Sequence, residues 1–229
     1  MEQNKSIYVS ASVSCMDLCH LEEAVNEVEA SEVSFYHFDV VDGRFNQCFI
    51  LGETTLQSMK KVSGLPIEAH LAVYEPERFI DSFAQAGADY IAVHYEAMKE
   101  PLQIFRRIRE AGAKPVLAYR ADTAPGDDFT ALAAEAEWVL KLTVNPGFSG
   151  QKMQPQAVEH IRRMRKLLDD AGLDRRIEAD GNINSSTIGK VVEAGAGILT
   201  GGTSGLFLKG RTATDCCMEM LRAARRACC

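Results

Sequence analysis

The chain has 229 residues, 46% of them hydrophobic, so it can bury a large core and lacks the composition of a disordered protein. Its formal net charge of -7 argues against a nucleic-acid or anionic-membrane partner, because both need a basic surface. The first residues form no signal-peptide pattern, no apolar run approaches about 18 residues, and the cysteines show no CxxC spacing, which together predict a cytoplasmic protein with reduced thiols.

Short apolar runs rich in β-formers alternate along the chain with amphipathic helical stretches. The predicted strands cover residues 7–12, 33–40, 66–73, 89–96, 114–120, 137–144, 175–180 and 197–202. A helical pattern follows each strand, and the last is "TDCCMEMLRAARRA". This alternation predicts an α/β fold, a single (β/α)8 TIM barrel over residues 1–229. A doubly wound open sheet is the alternative.

In a (β/α)8 barrel the chemistry lies at the C-terminal ends of the strands, and several of these ends are polar here. His37 and Asp39 end the second predicted strand and share a face as residues i and i+2, while His70 and Asp180 end the third and seventh strands. Two imidazoles and two carboxylates suit one divalent metal ion per chain, zinc, manganese or iron(II). The alternative is a set of hydrogen-bonded structural residues. Asp42 is expected to lie beyond the strand and to cap the next turn.

Glycine-rich loops follow the last three predicted strands, at residues 145–150, 180–182 and 201–204. Barrel loops of this kind bind phosphate through backbone N–H groups, and glycine allows a close approach of the backbone. Each loop alone would be an ordinary turn, but three successive ones predict a phosphate-bearing substrate. We also expect the loop "NPGFSGQ" to fold over a bound ligand as a lid.

The chain resembles the ribulose-phosphate 3-epimerase family of phosphate-binding barrels. The resemblance rests on "SASVSCMDL", "HFDVVDGRF", "HLAV", "AGADYIAVHYE", "VNPGFSGQ", "ADGNIN" and "GGTSGLF", which run in the family's order from residue 9 to residue 207. The phrases "CMDL" and "GTSGLF" are more similar to the allulose-6-phosphate 3-epimerase branch.

This resemblance implies a role for each matching residue. His37, Asp39, His70 and Asp180 match the metal ligands, and Asp39 and Asp180 also match the acid/base pair on the two sides of the sugar. The residues that match substrate or phosphate contacts are Ser12, His70, Gly147, Phe148, Ser149, Gly150, Gly181, Asn182, Gly202, Thr203 and Ser204. The implied reaction is C3 epimerisation of a ketose phosphate through an enediolate, in a homo-oligomer (dimer or hexamer). A non-catalytic phosphosugar sensor on the same barrel is the alternative.

The chain departs from the family pattern around the expected pocket. Val41, Ala72 and Leu142 replace methionines, and Arg44 and Arg120 stand where the family has less basic residues. We expect these changes to alter specificity, with the arginines holding a second polar or anionic group of the substrate. The alternative is that the arginines form ordinary surface salt bridges.

Overall fold

A closed ring of parallel strands forms the centre of the protein. The computed structural model describes residues 6–147 and 150–228. Its strands are β1 (Tyr8–Ser12), β2 (Phe35–Asp42), β3 (Phe49–Ile50), β4 (Ile67–Ala72), β5 (Tyr90–His94), β6 (Lys114–Tyr119), β7 (Trp138–Leu142), β8 (Arg176–Asp180) and β9 (Ile198–Gly201). Every one except β3 pairs in parallel with both neighbours, and β1 closes the ring by pairing with β2 and β9. The predicted (β/α)8 barrel is therefore confirmed, and the open sheet is excluded.

Eight helices follow the strands of the described ranges and surround the ring. They are α1 (Leu21–Glu29), α2 (Glu53–Lys60), α3 (Ile80–Ala86), α4 (Pro101–Glu110), α5 (Phe129–Ala134), α6 (Pro155–Asp170), α7 (Ile188–Glu193) and α8 (Ala213–Ala227). Within the residues described, none of these helices is long and apolar enough to span a membrane.

Each barrel strand is buried on both faces, because one face fills the ring and the other meets the helices. In β2, Phe35 packs inside with Trp138, whereas Tyr36 and Phe38 belong to the larger core shared with the helices. The alternation continues to His37 and Asp39, which follow Phe35 on the inner face. The expectation that these two residues share a face is therefore confirmed.

The strand register brings the polar strand ends to one level. Asp39 lies beside His70, Ser12 beside His37, and Leu142 beside Asp180. Because parallel strands carry their carboxyl ends to the same rim, residues far apart in sequence meet at the mouth of the barrel.

Asp42 corrects one detail of the sequence analysis. Strand β2 extends to Asp42, because Asp42 pairs with Phe49 of the short antiparallel strand β3. The expected position beyond the strand is therefore wrong. The expected turn role is confirmed, since the Asp42 Oδ1 atom accepts hydrogen bonds from the backbone N–H groups of Arg44 and Phe45, at 2.9 and 2.8 Å.

Candidate active site

A cavity of about 280 Å³ opens at the C-terminal end of the barrel. The predicted site residues that line it are Ser12, Asp39, His70, Gly147, Gly150, Asp180, Gly181, Asn182, Gly202, Thr203 and Ser204. His37 lies beneath this lining and is fully buried. Phe148 and Ser149 fall outside the described residues. Among the described lining residues there is no lysine or arginine, so only neutral groups are available to hold an anion.

Four potential metal ligands converge at the floor of this cavity: His37, Asp39, His70 and Asp180. The Asp39 Oδ1 atom lies 3.1 Å from His37 Nε2 and 3.1 Å from His70 Nδ1. His37 Nε2 lies 3.5 Å from Asp180 Oδ2. A cation with ligands at about 2.1 Å separates neighbouring ligand atoms by about 3.0–3.4 Å, so these spacings fit one ion.

The hydrogen bonds behind His37 fix which of its nitrogens faces the cavity. His37 Nδ1 lies 2.7 Å from Glu68 Oε2, and both side chains are fully buried. Because a carboxylate only accepts, the Nδ1 atom carries a proton, and Nε2 is the nitrogen directed at Asp39 and Asp180. When Nε2 is unprotonated, its lone pair faces the carboxylate oxygens without a donor between them, which is the arrangement that a divalent cation satisfies.

The pKa of His37 also indicates that positive charge is stabilised at this position. Burial alone would lower the pKa of His37, but the carboxylates of Asp39 and Asp180 outweigh burial and raise this pKa well above its usual value. In the absence of a metal ion, a proton on His37 compensates the negative charge of the two carboxylates. A bound cation would take the place of that proton.

The two aspartates have opposite pKa shifts. Burial would raise the pKa of Asp39, but His37 and His70 hold it well below its usual range. Burial raises the pKa of Asp180 to about 7, and the charges of Asp39 and Glu178 add to that effect. A pair of carboxyl groups whose environments separate their pKa values is suited to one basic and one acidic role.

Sequence reasoning missed several polar residues that support the site. Ser14 lines the cavity and donates a hydrogen bond to Asp39 Oδ2 at 3.1 Å, beside the Ser12 bond at 3.2 Å. Glu68 and Glu178 are fully buried inside the barrel. Each of these glutamates precedes a predicted ligand by two residues, so the alternation that joined His37 to Asp39 would also have identified them.

Both arginines proposed for specificity contact other protein groups. Arg44 lies 3.4 Å from Glu75 Oε2 on the surface, which matches the salt-bridge alternative. The Arg120 guanidinium lies 4.3 Å from the centre of the Phe45 ring and donates to the Phe45 carbonyl at 3.1 Å. Neither arginine lines the described cavity. A role in specificity stays a prediction for both.

The three positions that replace methionines divide into two environments. Val41 and Ala72 pack with Phe45 in a small buried cluster near the rim, whereas Leu142 lines the cavity itself. Leu142 therefore has direct access to a bound ligand, whereas Val41 and Ala72 lie outside the described cavity lining.

Fold and site together define a class: a (β/α)8 barrel whose polar mouth joins paired carboxylates to a cluster of side chains that could bind a metal ion. A family model described as the ribulose-phosphate 3 epimerase family matches residues 8–207. The chain belongs to the ribulose-phosphate 3-epimerase family, and it is an epimerase.

Curated relatives support this membership over most of the chain. A ribulose-phosphate 3-epimerase of Methanocaldococcus jannaschii is 37% identical over 193 residues, covering 84% of this chain and 81% of the relative. A ribulose-phosphate 3-epimerase of Bacillus subtilis is 34% identical over 199 residues, covering 86% of this chain and 91% of the relative. The closer resemblance to the allulose-6-phosphate branch is not confirmed by these comparisons.

Solved structures share the fold at much lower identity. The crystal structure of 3-hexulose-6-phosphate synthase from Salmonella typhimurium superposes with a TM-score of 0.67 at 14% identity, covering 96% of this chain and all of that one (100%). At this identity the likeness supports the barrel fold alone.

Proposed function

We propose that the protein epimerises C3 of a ketose phosphate such as ribulose 5-phosphate, using Asp39 and Asp180 as its acid/base pair. The observation that carries the proposal is that both carboxylates line one cavity from strands β2 and β8, which are separated by β1 and β9 around the barrel. They therefore approach a ligand from different sides. A sensor would need a binding pocket but no such pair.

The proposed reaction begins with removal of the C3 proton, which is acidic because the neighbouring carbonyl can take up negative charge. Asp39 is suited to accept this proton, since it lines the cavity and is ionised. Asp180 is suited to deliver a proton to the other face, since it lines the same cavity from a different strand. Proton removal from one face and return on the other inverts C3, and the roles exchange in the reverse direction.

His37, Asp39, His70 and Asp180 would hold one divalent ion per chain, and two imidazoles with two carboxylates suit zinc, manganese or iron(II). When bound, such an ion supplies the positive charge that stabilises a developing enediolate on the substrate oxygens. Ser12 and Ser14 hold the other oxygen of Asp39, which keeps the carboxylate oriented toward the cavity.

The phosphate of the substrate would lie against the loops after β7, β8 and β9. Gly147, Gly150, Gly181 and Gly202 line the cavity, and a backbone without side chains can bring its N–H groups close to an anion. The absence of lysine and arginine from the described lining supports recognition by neutral donors.

The test is C3 proton exchange with ribulose 5-phosphate in D₂O, together with product formation. We expect wild-type protein to incorporate deuterium at C3, and Asp39→Asn or Asp180→Asn to lower kcat by about 10² to 10⁴. Asp122→Asn is the control, because Asp122 is an exposed aspartate outside the described cavity lining and should leave the rate unchanged. Full product formation by either site variant would refute the two-aspartate mechanism, because inversion at C3 needs both carboxylates.

A further inference from the structure

A second buried histidine lies directly behind the predicted metal ligand His70. His94 at the end of β5 is fully buried, and its Nε2 atom lies 2.8 Å from His70 Nε2. Its ring packs between His70 and Phe45, with ring centres 5.0 and 4.7 Å away. His94 is therefore held by a ring nitrogen of His70 at its edge and by the ring of Phe45, and it does not line the described cavity.

Two facing ring nitrogens form a hydrogen bond only when one of them carries a proton and the other does not. The opposite side of the His94 ring decides between the two arrangements. His94 Nδ1 lies 3.2 Å from Glu96 Oε2, and Glu96 Oε1 accepts the backbone N–H of Arg120 at 2.8 Å. Both oxygens of this carboxylate thus accept, so the proton of the His94–Glu96 bond is on Nδ1.

The tautomer of His70 follows from that of His94. With its proton on Nδ1, His94 accepts at Nε2, and His70 must donate from its own Nε2. The remaining nitrogen of His70, Nδ1, then has a free lone pair. That atom lies 3.1 Å from Asp39 Oδ1, within the ligand cluster.

We propose that Glu96 is a positioning residue that acts through His94 to hold His70 in the tautomer that binds the metal ion. The inference rests on the metal site of the proposed function. Glu68 fixes the tautomer of His37 by direct contact. Glu96 would fix the tautomer of His70 in the same way, but through the intervening ring of His94. Carboxylates behind metal-binding imidazoles fix the ring orientation and the tautomer, and their loss commonly weakens metal binding about 10- to 100-fold.

Glu96→Gln tests the relay with almost no change in volume. If the glutamine oxygen keeps the bond from the Arg120 N–H, the amide NH₂ group faces His94 Nδ1 and donates to it. His94 must then carry its proton on Nε2, which drives the proton of His70 onto Nδ1 and blocks that ligand. Glu135→Gln is the control, because Glu135 forms an exposed ion pair with Arg109 away from the site.

The first measurement is Zn²⁺ affinity, by competition with a chromophoric chelator, on metal-stripped wild type and both variants. We expect one site in wild type, an affinity about 10- to 100-fold lower in Glu96→Gln, and no change in Glu135→Gln. Wild type that takes up no Zn²⁺ would overturn the metal site and the relay with it. Tight wild-type binding that Glu96→Gln leaves unchanged would overturn the relay alone.

The second measurement is the ¹⁵N spectrum of the histidine rings, which distinguishes the tautomers without reference to activity. We expect the His94 proton on Nδ1 in the wild type and on Nε2 in Glu96→Gln, with His70 changing in concert. A merely structural Glu96 would change the thermal stability without reversing the tautomers. A wild-type His94 protonated on Nε2 would overturn the proposal.

Discussion

At the scale of single residues, Asp39 joins two polar systems. Its Oδ1 atom faces the imidazoles of His37 and His70, and its Oδ2 atom accepts from Ser12 and Ser14. One carboxylate thus has an oxygen directed at the ligand cluster and another directed at hydroxyl groups of the cavity wall. A rotation of this side chain would disturb both systems, so its four polar neighbours restrict its orientation.

His70→Ala should sharply lower the divalent metal content of the purified protein, because it removes one of four converging ligands. Elemental analysis after equal metal exposure is the measurement. His20→Ala is the matched control, since His20 is exposed and pairs with Asp17 away from the cluster. Full metal occupancy in His70→Ala would show that His70 is not a ligand.

At the scale of elements, strand β7 contributes a buried lysine to the loop after β6. Lys141 is fully buried, and its ammonium group donates to the backbone carbonyls of Arg120 and Thr123. Burial lowers the pKa of Lys141 to about 8, although the charges of Glu96 and Asp122 oppose the shift. The lysine therefore fixes this loop at the cost of burying a charge at neutral pH.

The stability of the protein should depend on pH through the titration of Lys141. Between its folded pKa of about 8 and its ordinary value of 10.5, the unfolded chain binds more protons, so the free energy of unfolding rises with pH. This contribution amounts to about 2 kcal/mol between pH 7.5 and pH 10. Urea denaturation at both pH values measures the free energy of unfolding. This free energy should not rise in the same way in Lys141→Met. Equal pH dependence in the two proteins would contradict the shift.

The loop after β8 depends on a glycine that no other residue can replace without strain. Gly181 has φ of +119°, and a Cβ atom there would lie 2.5 Å from Val144 Cγ2. Thr143 packs on the same loop and donates to the Asp180 carbonyl at 3.1 Å. The peptide after the catalytic candidate Asp180 is therefore held close to the loop after β7.

The phosphate of the substrate should contribute strongly to turnover. We expect kcat/KM for ribulose 5-phosphate to exceed that for ribulose by at least about a hundredfold, because remote binding stabilises the transition state. Gly181→Ala should lower kcat/KM for ribulose 5-phosphate. Gly112→Ala is the control, since Gly112 also has positive φ but lies in open space. Equal kcat/KM for ribulose and its phosphate would refute phosphate recognition.

At the scale of the whole molecule, side chains that follow different strands of the barrel meet near its rim. Arg120, after β6, packs on Phe45, which follows β2 and contacts the cluster of Val41 and Ala72. Val41, Ala72 and Arg120 therefore meet at one side chain, Phe45, whereas Leu142 lines the cavity separately.

Specificity is tested by comparing kcat/KM for ribulose 5-phosphate and allulose 6-phosphate. If the altered wall changes the substrate, ribulose 5-phosphate should be the poorer of the two, and Arg120→Ala should narrow the difference. If ribulose 5-phosphate reaches about 10⁴–10⁸ M⁻¹s⁻¹ and Arg120→Ala changes nothing, the departures are neutral. Arg107→Ala serves as the control, because Arg107 pairs with Asp81 on the surface and lies outside the described cavity lining.

The sequence pattern predicted the barrel because eight apolar runs alternate with helical ones, and each predicted strand end lies within two residues of the observed end. Strand β3 was missed because two residues give no periodic signal. The cluster of His37, Asp39, His70 and Asp180 was predicted from strand-end positions alone. The contacts of Arg120 and the relay through His94 were not, because they depend on side-chain directions across neighbouring strands.

The pairing of β1 with β9 also sets the order in which the site can be completed during synthesis. The Ser10 hydroxyl group forms hydrogen bonds with Glu178 and Thr200, which lie 168 and 190 positions away along the chain. A nascent chain that has not yet exposed β8 and β9 to solvent can form the strand carrying His37 and Asp39 but lacks Asp180. Such long-range closure slows folding. The four side chains of the cluster should therefore come together only after β8 and β9 have formed, when the first strand meets the last.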